Sequence, residues 1–530
     1  MALIAFNNLT FTYEGSPDAV LENMTFQIDT DWKLGLIGRN GKGKTTLLRL
    51  LMGEYEYQGS ISCNAKCDYF PYFVPEEDLE RCAIDLAEEW KPGVESWQIL
   101  IQMSQIGMDP ECLYRPFGTL SHGERTRVML AVLFAAENEF LLIDEPTNHL
   151  DTDARESVKT FLAGKKGFIL VSHDRDLLDA VCDHVLVLNR ETVEVQSGNF
   201  SSWWENKERR DNFARAENER HVKEIGKLKA AADRSARWAE KSESSKIGFD
   251  PVKEHDRSIA TRSYIGAKTK KMQSRVKSFE MRMDREIEEK EGLLQDIEEP
   301  VDLKLNPLQY HKEILVNAMD LSLRYEGAPQ PLFEGLRFQI RRGERMILTG
   351  ENGSGKSSLI RAILQRASEK NAREDLREDL SGRQAGDLII EGTLDVASGL
   401  IISYVSQDTS MLSGTVRDFC RKRGLSESLL FAILRQLDLG REQFVKPMEE
   451  YSEGQKKKVL LAASLLTPAH LYIWDEPLNY IDVFSRMQIE KLILDFQPTM
   501  LLVEHDVRFR ERVTGGVAGT GSMTHLAHRE

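Results

Sequence analysis

The chain has 530 residues, 41% hydrophobic and 29% charged, with a formal net charge of −15. That length exceeds what one hydrophobic core organises, so two or three domains are expected, and the composition is that of a soluble globular protein. The longest apolar runs, such as VLLAASLL at 459–466, fall far short of the ~20 residues of a membrane span; MALIAFNNLTF has no signal-peptide pattern, and six scattered cysteines read as reduced thiols in a cytoplasmic protein. Cys63 and Cys67 are spaced like half of a zinc site, but no second Cys or His pair lies at ligand spacing.

In chain order, LGLI at 34–37 predicts a buried strand, and GRNGKGKTT at 38–46 follows it. This is the pattern of a phosphate-binding loop opening a helix. Gly38, Gly41 and Gly43 let backbone N–H groups turn inward around phosphates, Asn40 lies among them, and Thr45 and Thr46 begin the helix. Lys44 reaches for the terminal phosphates and Thr45 offers its hydroxyl to Mg²⁺. FLLID predicts an apolar strand ending at Asp144, whose carboxylate can hold Mg²⁺ through its water shell, and Glu145 is placed to accept a proton from water attacking the terminal phosphate. His173, after another strand-like run, is given a phosphate-sensing role in preference to a structural one.

The same order then returns. GENGSGKSS at 350–358 supplies Gly350, Asn352, Gly353, Gly355, Lys356, Ser357 and Ser358, and YIWDEPLNYID at 472–482 supplies Asp475 and Glu476. VEHD at 503–506 supplies His505, so the chain is an internal duplication with copies of roughly 200 residues. The polar stretch NAREDLREDLSGRQAGD at 371–387 is an insertion in the second copy, read as a solvated excursion. The expected architecture is α/β: two tandem ATPase domains at 1–200 and 313–530, joined by an antiparallel helical hairpin at 201–312. Val222, Ile225, Leu228 and Ala232 form one helical stripe, and Met272, Val276, Phe279 and Met283 the other, both read as packing seams, with the turn near Gly248 and Pro251. The tail 514–530 reads as irregular.

From 227 to 285 there are sixteen Lys and Arg against eight Asp and Glu, a balance of +8, so the remainder carries −23. Charge segregated in this way is the footprint of a polyanion partner, here RNA in preference to a solvated charged helix. Candidate RNA contacts at and beside the hairpin tip are Lys241, Lys246, Phe249, Lys253, Arg257, Arg262, Tyr264 and Lys268.

LSHGE at 120–124 and YSEGQ at 451–455 resemble the signature motif of ATP-binding-cassette (ABC) ATPases, and both copies resemble that family over almost their full length. The resemblance implies ATP and Mg²⁺ as cofactors and two cassettes closing head to tail within one functional monomer. Ser121, Gly123 and Glu124 would cap ATP held by Gly350 to Ser357; Ser452, Gly454 and Gln455 would cap ATP held by Gly38 to Thr45. Tyr13 and Tyr325 match the adenine-stacking aromatic, with a plain strand residue as the equal alternative. Gln407 matches the family's glutamine near the metal and water, whereas Tyr72 stands at that place in the first copy, a departure that puts the equality of the two sites in question.

Tandem cassettes with such a linker resemble the ABC-F proteins. RSYIGAKTKKMQSR, IEEKEGLL and WDEPLNYID are similar to the antibiotic-resistance branch of the Vga and Lsa types, and Gly59 to Leu120 is too short for the extra arm of housekeeping members. This implies a cytoplasmic, ribosome-associated protein acting at the vacant tRNA exit site. Large-subunit rRNA and peptidyl tRNA would be its partners, with no membrane and no DNA, and it would dislodge lincosamide, pleuromutilin or streptogramin A. A housekeeping translation factor of the same fold and an exporter's ATPase subunit are the alternatives.

Overall fold

A computed structural model describes residues 3–14, 19–136, 139–148, 150–188, 192–244, 277–278, 281–282, 305–350, 353–371, 388–437, 439–514 and 521–525. It divides into two compact units, Met1–Trp203 with Val301–Glu530, and Trp204–Pro300.

The first unit holds both cassettes. In the first, β1 (Leu3–Phe11), β2 (Leu21–Asp29), β3 (Lys33–Ile37), α1 (Lys44–Leu51), β4 (Gln58–Ser62) and β5 (Lys66–Phe70) lead into α2 (Ala83–Trp90), α3 (Ser96–Gln105) and α4 (His122–Leu133). There follow β6 (Glu139–Asp144), α5 (Thr152–Ala163), β7 (Phe168–Val171), α6 (Arg175–Val181), β8 (His184–Leu188) and β9 (Val193–Ser197). β1 buries alternate residues because one face of its small antiparallel sheet, ordered β2-β1-β4, meets the core and the other meets water. β7, FILV, is buried throughout because it lies inside the six-stranded sheet β5-β6-β7-β3-β8-β9, parallel except at β9.

α7 (Phe200–Ser244) is a single helix of 45 residues, about 68 Å long at 1.5 Å per residue. Its first turn belongs to the first unit, where Asn199 caps it and Trp203 is buried. Beyond that, pairs such as Arg220–Glu224 and Lys223–Glu219 support an exposed helix surface. Ile225 is buried and Val222 is 56% exposed, so the near stripe is not one continuous seam. Residues 277–278 and 281–282 are helical, with Met281 exposed. The turn expected at 248–251 and the seam residues Met272, Val276, Phe279 and Met283 lie outside the described residues.

The second cassette repeats the plan with β10 (Ile314–Tyr325), β11 (Phe333–Arg341), β12 (Arg345–Thr349), α8 (Lys356–Asn371), β13 (Leu388–Val396) and β14 (Ile402–Val405). It continues through α9 (Val416–Arg423), α10 (Glu427–Gln436), α11 (Glu453–Leu466), β15 (Leu471–Asp475), α12 (Val483–Phe496), β16 (Met500–Val503), α13 (Val507–Thr514) and β17 (Gly521–His525). The main sheet runs β14-β15-β16-β12-β17, all parallel. β17 corrects the expectation of an irregular tail. In the first cassette β8 covers the free edge of β3, and in the second the equivalent edge of β12 is covered by residues 521–525 instead. Ladder hydrogen bonds belong to the backbone, so a segment without an apolar pattern can still satisfy them.

Candidate active site

In both cassettes the register brings the chemistry to the carboxyl ends of the parallel strands, where open α/β sheets bind ligands. Asp144 pairs with Val171 and Asp475 with Val503, each beside the strand that feeds a phosphate loop. Gly43 caps α1 with φ 89°, and a Cβ there would lie 2.8 Å from Val20, so the loop can wrap only with glycine at this position. Gly41, Gly350, Gly353 and Gly355 also have positive φ, while Gly38 lies so close to Leu188 that an added Cβ would be 2.7 Å from its carbonyl oxygen. Lys44 Nζ donates to the carbonyl oxygens of Gly38 (2.8 Å) and Arg39 (3.1 Å), and Lys356 Nζ to that of Gly350 (2.7 Å). Both lysines are buried, and burial lowers the pKa of Lys44. The Tyr13 hydroxyl is 2.8 Å from that of Thr46, and Tyr325 meets Ser358 at the same 2.8 Å, so each tyrosine stands over the first turn of a phosphate-loop helix. Asn352 lies outside the described residues.

Ser121 caps α4 and Ser452 caps α11, each in a reciprocal box, with Glu124 and Gln455 returning the bond to the cap's own N–H at 2.7 and 3.0 Å. The first phosphate loop crosses to the second cassette: Asn40 Nδ2 donates to the carbonyl of Tyr480 (2.8 Å), and an added Cβ on Gly454 would lie 3.0 Å from Tyr480. The second signature and the first phosphate loop therefore share one neighbour. Gly123 faces Ala154 and Leu150 of its own cassette.

The carboxylates differ between the copies. Thr45 Oγ1 donates to Asp144 Oδ2 (2.7 Å), and so does the hydroxyl of Tyr69 (3.0 Å). Asp475 is buried with both carboxylate oxygens lacking a well-formed hydrogen bond, and burial pushes its carboxyl up to about 6 although Ser357 lowers it. Two orphaned oxygens beside a phosphate-loop hydroxyl fit a divalent cation, which prefers oxygen donors. Glu145 and Glu476 follow with φ 51° and 47°, a conformation that costs a side-chain-bearing residue energy and recurs at functional sites. His173 Nε2 is 3.3 Å from Glu145, and His505 Nε2 is 3.5 Å from Glu476. Glu476 also accepts from Gln407 Nε2 (2.9 Å) and Asn479 Nδ2 (2.7 Å). Val405 pairs with Trp474 as Phe70 pairs with Ile143, which puts Tyr72 at the position of Gln407. Tyr72 turns away, donating to Asp68 (2.6 Å) and stacking on Trp90 at 4.7 Å.

Electrostatics follow these contacts. Burial, then the adjacent Asp144, raises the Glu145 carboxyl to about 8. Burial also acts on Glu476, but His505, Lys457 and Lys356 outweigh it and hold that carboxyl below its ordinary value. Lys457 is buried at the carboxyl ends of β14 and β15, donating to the carbonyls of Ser406 (2.7 Å) and Asp475 (3.2 Å). The first cassette has Thr126 there, which carries no charge. Tyr69, Asn479, Lys457, Arg486 and Glu504, whose carboxylate takes the N–H groups of Leu478 and His505, escape a motif reading. One of them carries a signal: KKK at 456–458 opens an apolar helix, and three successive helical residues cannot share one solvated face. Cys63 and Cys67 lie 3.9 Å apart, sulfur to sulfur, and among the described residues no group of three or more His, Cys, Asp or Glu side chains is arranged around a metal. Lys241 lies in the backbone of α7; Lys246, Phe249, Lys253, Arg257, Arg262, Tyr264 and Lys268 fall outside the described residues.

Comparison with known proteins agrees with this geometry. The ABC transporter family model matches residues 21–148 and 333–479. The chain belongs to the ABC family, as a tandem-cassette ATPase of the ABC-F kind. It is 26% identical over 512 residues to the ribosome protection protein VmlR of Bacillus subtilis (strain 168), covering 95% of this chain and 84% of the relative. It is 26% identical over 511 residues to the ATP-binding protein Uup of Caulobacter vibrioides, covering 93% and 74%. The structure of archaeal ribosome recycling factor aABCE1, solved with ribosomal stalk protein aP1, superposes with TM-score 0.57 at 17% identity, covering 98% of this chain and 89% of that one, which establishes likeness of fold. Among the described residues no helix is long and apolar enough to cross a membrane.

Proposed function

We propose that this ATPase works on the ribosome as a protection factor. The supporting observation is that similarity to VmlR spans 95% of the chain, linker included, and the linker concentrates a charge of +8 in a protein of net −15. A phosphate backbone is the partner such a segment suits, and large-subunit rRNA with peptidyl tRNA at the vacant exit site supplies one. Lys44 and Lys356 hold the terminal phosphates once ATP displaces their bonds to loop carbonyls, Tyr13 and Tyr325 meet the adenines, and the capped ends of α4 and α11 present N–H donors across the interface. Thr45 with Asp144, and Ser357 with Asp475 and Gln407, would hold Mg²⁺, which neutralises charge on the phosphates being separated. Glu476, fixed by His505, is the candidate acceptor of the attacking water's proton, and Glu145, beside His173, holds the matching place in the first cassette. Two ATP molecules bridging the cassettes favour the closed state, which inserts the linker and empties a lincosamide, pleuromutilin or streptogramin A pocket.

The test is sedimentation of the Glu145→Gln, Glu476→Gln double variant with ribosomes. Co-migration in ATP and not in ADP is expected; absence from the ribosomal fraction in both nucleotides rejects the reading. Unchanged drug susceptibility on expression, with ribosome binding intact, would assign the chain to the housekeeping factors instead.

A further inference from the structure

The duplicated strands carry the same register, so position-by-position comparison of the two sites is direct, and one set of differences falls on the groups around Glu145 and Glu476. Glu476 is gripped by two amides, from Gln407 and Asn479, and by His505. Glu145 is approached by His173, through its backbone N–H at 3.3 Å and its ring, and its Oε1 is buried without a hydrogen-bond partner. Of the two amide positions, that of Gln407 is held by Tyr72, which has no amide and is bonded to Asp68 and stacked on Trp90, while Asn148, which matches Asn479, meets Glu145 through its backbone N–H and not through its amide. The binding half of the first site is nonetheless complete: Lys44, Thr45 and the glycine loop match their counterparts, and Asn40 is tied to Tyr480 across the interface.

We propose that the two sites divide the work: the site of Gln407 and Glu476 hydrolyses ATP, while the site of Tyr72 and Glu145 retains ATP through many turnovers and keeps the cassettes engaged. At the second site a water oxygen bonds to the γ-phosphorus as the bond from that phosphorus to the β–γ bridging oxygen breaks. ADP leaves, and the water's proton passes to Glu476. Gln407 and Asn479 hold that carboxylate toward the water; Gln407 is here a positioning residue. At the first site no amide performs this service, and Glu145 lacks the second grip that would hold its acceptor oxygen on the water's path.

This rests on the site roles proposed above and not on the ribosomal reading, and it is tested on the full chain without ribosomes. Turnover should fall more than about tenfold in Glu476→Gln and at most about twofold in Glu145→Gln. Wild-type protein passed rapidly through a desalting column after turnover should keep about one unhydrolysed ATP per chain. Tyr72→Gln should convert that retained ATP to ADP, whereas Tyr72→Phe, which breaks the bond to Asp68 without restoring an amide, should leave it as ATP. Thermal denaturation confirms that each variant is folded. Equal losses in the two glutamine variants, or retained nucleotide that is all ADP in the wild type, would overturn the division. If neither variant slows turnover, the assignment of both glutamates falls, and the division with it.

Discussion

Glu145 and Glu476 share a strained backbone and a histidine neighbour, yet their surroundings move their carboxyls in opposite directions. This has a consequence for stability in nucleotide-free and Mg²⁺-free protein. The folded chain holds a proton on Glu145 between its ordinary value of 4.5 and about 8, so the contribution of this residue falls as pH rises through that window. Glu476 behaves oppositely: its contribution is full above its ordinary value and is lost as pH falls through the lower folded value. Urea unfolding at pH 5 and pH 8 should therefore show Glu145→Gln gaining at least about 1 kcal/mol relative to wild type at the higher pH. Glu476→Gln should be less stable than wild type by the same amount at both pH values, a deficit that shrinks only below pH 4.5. A parallel response of both variants would refute the opposed environments.

The helices that follow the two carboxylate strands begin with the same cap in different settings. Asp151 caps α5 by accepting from the N–H of Ala154 (2.9 Å) at a half-buried position. Asp482 caps α12 from a fully buried one, accepting from both the N–H (3.0 Å) and the hydroxyl (2.8 Å) of Ser485, with Lys458 at 3.7 Å. Asp151→Ala should cost about 1 kcal/mol, an ordinary cap. Asp482→Ala should cost about 2–4 kcal/mol, because it strands a buried hydroxyl and removes a carboxylate beside a buried ammonium. Denaturant midpoints of the two variants check the order. Asp151 and Asp482 occupy matching places in the repeat, so the motif foretells the cap, but the burial that sets its value is decided by tertiary packing.

Across the cassettes the ionic contacts are not self-complementary. Arg175 of α6 pairs with Glu490 of α12 (2.7 Å) with both side chains buried, and Arg512 reaches the other oxygen of Glu490 at 2.7 Å. Arg508 of α13 pairs with Asp176 (2.7 Å) and Asp179 (2.6 Å) of α6. The corresponding helix is acidic in one cassette and basic in the other, so each cassette suits its sibling better than a second copy of itself. Glu490→Ala should cost about 3–5 kcal/mol by leaving the Arg175 guanidinium buried without its carboxylate. Arg508→Ala, at a partly exposed pair, should cost about 1 kcal/mol. Urea unfolding of both variants tests this ranking, and equal effects would contradict it.

The fold class and the glycine loops that open α1 and α8 could be read from residues alone, because GRNGKGKTT and GENGSGKSS each follow a buried strand and constrain backbone within a few residues of themselves. So could the place of Tyr72, since strand register follows from the repeat spacing. The seam read at Val222 and the irregular tail failed for one reason: burial and strand pairing depend on what distant segments place nearby, as β17 finds an open edge on β12. Folding also decided that Tyr72 turns to Asp68, that Tyr69 joins Asp144, and that Lys457 lies beneath Glu476. Those contacts join residues up to 75 positions apart in sequence, and they set charge and hydrogen bonding in a dry interior where each unpaired oxygen counts. The motifs place the same chemistry in both cassettes; the packing around them makes the two sites different.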